Sequence, residues 1–170
     1  IQRILFEEGK IRPEQYPRRR PGEKCQVVTC FNLKGGVSKT STATHLAEVL
    51  ALRGYRVLAI DLDAQSSMTN MFGITPELAP DMPSAYDVIR YTDPLPCREA
   101  IRKTYFPNID LLPGSMDVIE FEYETALSFR TPDSSKPFHG RLADALEQVQ
   151  QDYDVVIFDT PPQMSFAVIA

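Results

Sequence analysis

Gln26-Val27-Val28-Thr29-Cys30-Phe31-Asn32-Leu33-Lys34-Gly35-Gly36-Val37-Ser38-Lys39-Thr40 is the stretch on which the fold turns. Its first half is a short apolar run that reads as a buried strand, and its second half is a glycine-bearing loop leading into a helical pattern. Ala43, Leu46, Ala47 and Leu50, spaced i, i+3, i+4, i+7, mark the apolar face of that helix. Arg53 stands in its last turn and Gly54 is the stop. Val57-Leu58-Ala59-Ile60 then reads as a second buried strand ending at Asp61. Strand, loop, helix and strand in this order form a βαβ unit, which implies a parallel sheet with right-handed crossovers.

The loop is suited to polyphosphate. Gly35 and Gly36 permit positive φ and close backbone approach, so successive N–H groups can form a nest at the positive end of the helix dipole. Lys39 would neutralise phosphate charge and the Thr40 hydroxyl would ligate magnesium. The residues expected to touch nucleotide are Lys34, Gly35, Gly36, Val37, Ser38, Lys39, Thr40 and Ser41. A phosphate loop of the common pattern has glycine at both ends, whereas this chain has Leu33 and Ser38 there and an additional lysine, Lys34. The Cβ of Ser38 requires a backbone conformation that L-residues can adopt.

Further along, Asp61-Leu62-Asp63-Ala64-Gln65 places two carboxylates at the carboxyl edge of the sheet, where ligands of open α/β folds bind. Val155-Val156-Ile157-Phe158 reads as a strand covered on both faces, ending at Asp159 and stopped by Pro161-Pro162. Asp159 and Thr40 can converge on one ion only if their two strands are neighbours. Between these landmarks Ile109–Pro113 reads as a strand, a helix is expected from Ser84, and helices are expected around 117–128 and after Pro137. The 117–128 helix is expected to bury Ile119, Tyr123, Ala126 and Leu127, and the later one Leu142, Ala145, Leu146 and Val149. Tyr86, Phe121 and Tyr123 are read as core. Another helix is expected from near Gln163, and the apolar stretch running to Ala170 suggests a fragment.

The chain has 170 residues, 43% hydrophobic and 24% charged, with net charge −5. That balance fits a globular domain, and any nucleic-acid contact must come from a local patch. Arg18, Arg19 and Arg20, with Lys24 and Arg12, form the basic cluster, and the stretch from Pro17 to Lys24 reads as a linker. Ile4, Leu5 and Ile11 before it suggest the remnant of a small helical element or an arm. Cys25, Cys30 and Cys97 are too few and scattered for a disulfide framework or a zinc site, and His45 and His139 lack neighbours at ligand spacing. No apolar run approaches the roughly 20 residues of a membrane span, and a cytoplasmic location is expected.

The run Asn32 to Thr40 resembles the deviant Walker A motif of the ParA/MinD family, whose members mostly carry glycine where Ser38 stands. Asp61 to Gln65 is similar to that family's switch I motif, with Ala64 in place of the usual proline, and Asp159-Thr160-Pro161-Pro162 is similar to its Walker B end. Leu112 to Ser115 and Glu120 to Glu122 look like the larger plasmid-partition members, ParA or RepA. The resemblance implies a three-layer α/β P-loop NTPase fold with a mostly parallel sheet, the C-terminal strands missing here. Residues 1–24 would be the end of an N-terminal helix-turn-helix region and linker, and 25–170 the N-terminal part of the ATPase domain.

By the same resemblance Lys34, Lys39 and Asp63 are catalytic. Lys34 reaches the nucleotide of the other copy and Asp63 orients the attacking water, while Thr40, Asp61 and Asp159 serve magnesium. The family's activity is ATP hydrolysis with Mg²⁺ in an ATP-dependent homodimer that binds DNA non-specifically. A centromere-bound ParB or RepB partner stimulates it, and it works in the cytoplasm on the nucleoid, without membrane. Two other readings stay open: a nucleotide-sensing autorepressor whose N-terminal region reads an operator, and a MinD-like ATPase that cycles on a membrane.

Overall fold

The computed structural model describes residues 2–12, 19, 22–129 and 138–170. The sequence readings that rest on Pro17, Arg18, Arg20, Pro21 and Pro137 lie outside the described residues. Helix α1 (Gln2–Glu7) stands where a small helical element was expected.

Among the described residues five strands form one sheet: β1 (Gln26–Cys30), β2 (Val57–Asp61), β3 (Arg102–Lys103), β4 (Ile109–Leu112) and β5 (Val155–Asp159), in spatial order β1-β5-β2-β4-β3. All neighbours are parallel except the β3–β4 pair. Helix α2 (Lys39–Leu52) crosses over between β1 and β2, as the 3.6-residue pattern predicts. It buries Ala43 and Ala47 fully and half-buries Leu46 and Leu50. Gly54 ends it with φ 101°, a left-handed conformation that costs glycine nothing.

Alternation along the strands sends side chains to two opposite layers. Leu58, Ile60, Val156 and Phe158 pack on one face with helices α4 (Ala85–Ile89), α6 (Val118–Ser128) and α7 (Arg141–Glu147). Val57, Ala59, Val155 and Ile157 pack on the other with α2 and α3 (Ser67–Met71). The central strands β2 and β5 are buried at every position, which is why they read as unbroken apolar runs. The result is a three-layer α/β sandwich.

Ser84 caps α4 in a reciprocal capping box with Asp87, as expected of a helix start there. The short elements α3, α5 (Cys97–Ala100), the two-residue edge strand β3 and a 3-10 turn at Pro76–Leu78 were not foreseen. Each is too short for a periodic signal. The last helix, α8 (Phe166–Ile169), begins after Ser165, slightly later than Gln163.

The expected buried face of α6 is corrected. Val118, Phe121 and Thr125 face the core, whereas Ile119, Tyr123, Ala126 and Leu127 are exposed. Tyr123, read as core, is 67% exposed. Polar anchors set the rotation. Glu122 accepts the backbone N–H of Phe166 and Ala167 at 2.9 and 3.0 Å, and Glu124 accepts from Tyr86 Oη and the Tyr91 amide, both at 3.3 Å. Turning α6 to bury the other stripe would strip these bonds, and Phe121 would leave its stack on Tyr91 at 5.8 Å.

Candidate nucleotide and magnesium site

β1 runs out at the carboxyl edge of the sheet into an exposed loop, residues 31–38. Asn32 Oδ1 accepts the Lys34 N–H at 2.9 Å and tightens the turn, Gly36 takes φ 70°, and Ser38 takes φ 60°, ψ 30° just before α2. Ser38 therefore sits in the small left-handed region open to L-residues. α2 starts at Lys39, so the first-turn N–H groups, which lack intrahelical partners, point into the loop along with the helix dipole. Lys39 Nζ folds back over the loop to the Lys34 carbonyl at 3.3 Å. Lys34 and Ser41 are exposed and Thr40 is half-buried.

The acidic strand ends meet this loop because of sheet order. β5 lies between β1 and β2, with Asp159 opposite Cys30 on one side and Asp61 on the other. The neighbour condition for Thr40 and Asp159 is thus met. The Thr160 hydroxyl donates to the Cys30 carbonyl at 2.8 Å and the Leu62 amide to the Asp159 carbonyl at 3.0 Å, stitching the three ends together.

Asp159 is fully buried, and neither of its carboxylate oxygens has a hydrogen-bond partner of ordinary geometry. Burial pushes its carboxyl up; the Thr40 hydroxyl pulls it down, the Asp63 charge raises it and Lys39 lowers it. These influences bring Thr40, Asp63 and Lys39 within electrostatic reach of one carboxylate. Asp63 is half-buried, and its Oδ1 accepts the Gln65 N–H at 3.0 Å.

Asp61 differs. Its Oδ2 accepts the Thr69 N–H at 2.9 Å and the Thr69 hydroxyl at 2.7 Å, and its Oδ1 accepts the Asp63 N–H at 3.1 Å. Burial nevertheless raises its carboxyl to about 7, with the nearby Asp159 charge adding to the effect. Thr69 in turn accepts the Gly114 N–H at 2.9 Å. Neither Thr69 nor Gly114 was singled out for the site from sequence. Gly114 stood within the Leu112 to Ser115 run, while nothing in the sequence around Thr69 links it to Asp61.

The residues fit a hard divalent ion. A buried carboxylate whose two oxygens have no hydrogen-bond partner of ordinary geometry is costly unless a cation or its waters meet it, and the Thr40 hydroxyl is close enough to act on it. Among the described residues no group of three or more His, Cys, Asp or Glu could hold a metal, so such an ion would draw its remaining ligands from phosphate and water. A cavity of ≈ 260 Å³ lined by Asp63, Gln65, Ile119, Glu122, Pro161 and Pro162 opens next to the loop. A cavity of ≈ 460 Å³ lies at the opposite sheet edge, and its cations Arg56, Arg98 and Lys103 are paired with Asp154, Asp152 and Asp110.

A glycine loop between strand and helix, with acidic ends on the neighbouring strands, defines the P-loop class of nucleotide-binding folds. A family model described as an AAA domain matches residues 25–170. A putative replication protein A of Sinorhizobium fredii (strain NBRC 101917 / NGR234) is 42% identical over 174 residues, covering 99% of this chain and 42% of that protein. The chromosome partitioning protein ParA of Caulobacter vibrioides is 33% identical over 146 residues, covering 85% of this chain and 51% of that protein. A crystal structure of cobyrinic acid a,c-diamide synthase from Mycobacterium smegmatis with bound ATP analog and magnesium superimposes with TM-score 0.74 at 29% identity, over 85% of this chain and 55% of that one. The chain belongs to the ParA/MinD-type AAA domain family of P-loop proteins. It spans about two fifths of the length of the replication protein A it matches.

Proposed function

We propose that this chain is the nucleotide-binding part of a DNA-partitioning ATPase in which ATP joins two copies and hydrolysis parts them. The observation that carries the reading is the unpartnered, buried Asp159 beside Thr40, Lys39 and Asp63 at the mouth of a phosphate-binding loop. The loop amides and Lys39 bind the β- and γ-phosphates. Asp63, its carboxylate steadied by the Gln65 amide, orients the attacking water. Magnesium, held by Thr40 and through water by Asp159 with Asp61 behind them, would neutralise charge on the phosphate oxygens. Lys34, exposed at the loop, reaches the nucleotide of a second copy and adds a cation to the transition state, which ties turnover to dimerisation.

A relative named for chromosome partitioning and a similar structure bound to an ATP analog with magnesium support this reading. DNA, bound without sequence preference, and a ParB- or RepB-type protein are the partners it implies, in the cytoplasm on the nucleoid. Among the described residues no helix is long and apolar enough to cross a membrane. Residues 1–24 serve as the end of an N-terminal arm or helix-turn-helix region and its linker.

The test is ATP turnover by the full-length protein with and without DNA and partner. Turnover should rise when both are added and fall at least about a hundredfold in Lys39→Gln or Asp63→Ala, the latter still binding ATP. A rate indifferent to DNA, partner and both substitutions ends the proposal.

A further inference from the structure

We propose that Thr69, braced by the backbone of Gly114, is a positioning residue that sets the Asp61–Asp63 turn and through it the aim of Asp63. The inference rests on the reading of Asp63 just given and adds to it the groups that hold Asp63 in place.

The bonds form one continuous path. The Gly114 amide donates to Thr69 Oγ1 at 2.9 Å, the Thr69 hydroxyl donates to Asp61 Oδ2 at 2.7 Å, and Asp61 Oδ1 accepts the amide of Asp63 at 3.1 Å. A hydroxyl has one proton to give, and here it is committed to the carboxylate while a lone pair takes the amide. Both Thr69 and Asp61 are fully buried, so water cannot substitute for either partner. At 2.7 Å the hydroxyl–carboxyl bond is at the short end of O–H···O distances.

Packing enforces the same geometry from the other side. A Cβ on Gly114 would lie 2.9 Å from Asp61 Cγ, closer than a Cβ approaches another heavy atom, and a tight 3.0 Å from the Asp63 carbonyl oxygen. The segment after β4 therefore presses its bare backbone against the turn. Thr69 comes from α3, Gly114 from the segment after β4 and Asp61 from β2, so three elements are pinned at one point behind Asp63. Losing the hydroxyl leaves Asp61 Oδ2 held by the Thr69 N–H alone, which loosens the carboxylate and lets the Asp63 amide drift, and small displacements of a water-orienting group are costly in rate.

Thr69→Val keeps shape and β-branching but removes the hydroxyl; Thr69→Ser keeps the hydroxyl. In the full-length protein, kcat and KM for ATP are measured with magnesium, and amide exchange of residues 62–66 is measured without nucleotide. Expected for Thr69→Val is a kcat lower by about tenfold to a hundredfold, a KM within about threefold, and faster exchange confined to the turn, with Thr69→Ser recovering most of each loss. Gly114→Ala should shift kcat and exchange in the same direction, and it stands in should Thr69→Val not fold. An unchanged kcat and unchanged exchange in Thr69→Val overturns the inference, and so does a loss that Ser fails to recover. If the unmodified protein does not hydrolyse ATP, the proposed function fails, and the exchange comparison alone decides the role of Thr69.

Discussion

Two serines at the mouth of the site hold backbone conformations that glycine adopts freely: Ser38 at φ 60° and Ser66 at φ 52°. Each precedes a helix that carries site residues, α2 for Lys39 and Thr40 and α3 for Thr69. Left-handed conformations cost an L-residue about 1–2 kcal/mol, part of which glycine returns through its freer unfolded chain. Ser38→Gly should therefore raise stability by up to about 1 kcal/mol in urea denaturation, and a loss of stability would show that the serine side chain contributes something the backbone argument lacks. Asp61 predicts a pH dependence. Its carboxyl titrates near 3.8 when unfolded and near 7 when folded, so between those values the folded chain holds a proton that the unfolded chain has lost. The stabilisation is full below about pH 4 and is lost as pH rises toward 7, on the order of a few kcal/mol, with Asp159 shifted in the same direction. Asp61→Asn should flatten that slope in denaturation curves taken at pH 5 and pH 8 without nucleotide. An equal slope in both proteins would contradict the burial argument.

At the level of elements, α6 carries two apolar stripes, and its partners choose between them. Phe121 is fully buried against Tyr91, while Tyr123 stands in solvent. Phe121→Ala should cost about 3–5 kcal/mol, and Tyr123→Lys should stay within about 0.5 kcal/mol of the parent by the same denaturation assay. Similar costs for both would place the helix in the other rotation. Periodicity could not decide the matter, because 118, 121, 125 and 119, 123, 127 both recur at helical spacing. Glu122 and Glu124 decided it by meeting amides from distant segments.

For the whole molecule, one buried carboxylate ties the segment before β1 to the sheet. Asp154, 3% exposed, accepts the Arg19 amide at 3.1 Å and the Arg56 amide, Nε and Nη2 at 2.8, 3.2 and 2.9 Å. Burial alone would raise its carboxyl, but the side chain and amide of Arg56 and the amide of Arg19 hold it below the ordinary value. That contribution is present at neutral pH and lost as pH falls through the lowered value. Arg56→Ala should cost about 2–3 kcal/mol, less than for a fully enclosed pair because the Arg56 side chain is 39% exposed. The loss should shrink in acid, as measured by thermal unfolding at pH 7 and pH 3.

Local order in the chain by itself determined the βαβ unit, the phosphate loop and the acidic ends of two central strands, because strand, glycine turn and helix cap are each written in a few adjacent residues. The neighbouring positions of β1, β5 and β2, which bring Thr40, Asp159 and Asp61 together, followed from no local signal. Nor did the outward stripe of α6, the short strand β3, or the bonds that link Asp61 to Thr69 and Gly114. Those features join residues far apart in the chain, and their energies exist only once the sheet and its two helical layers have packed.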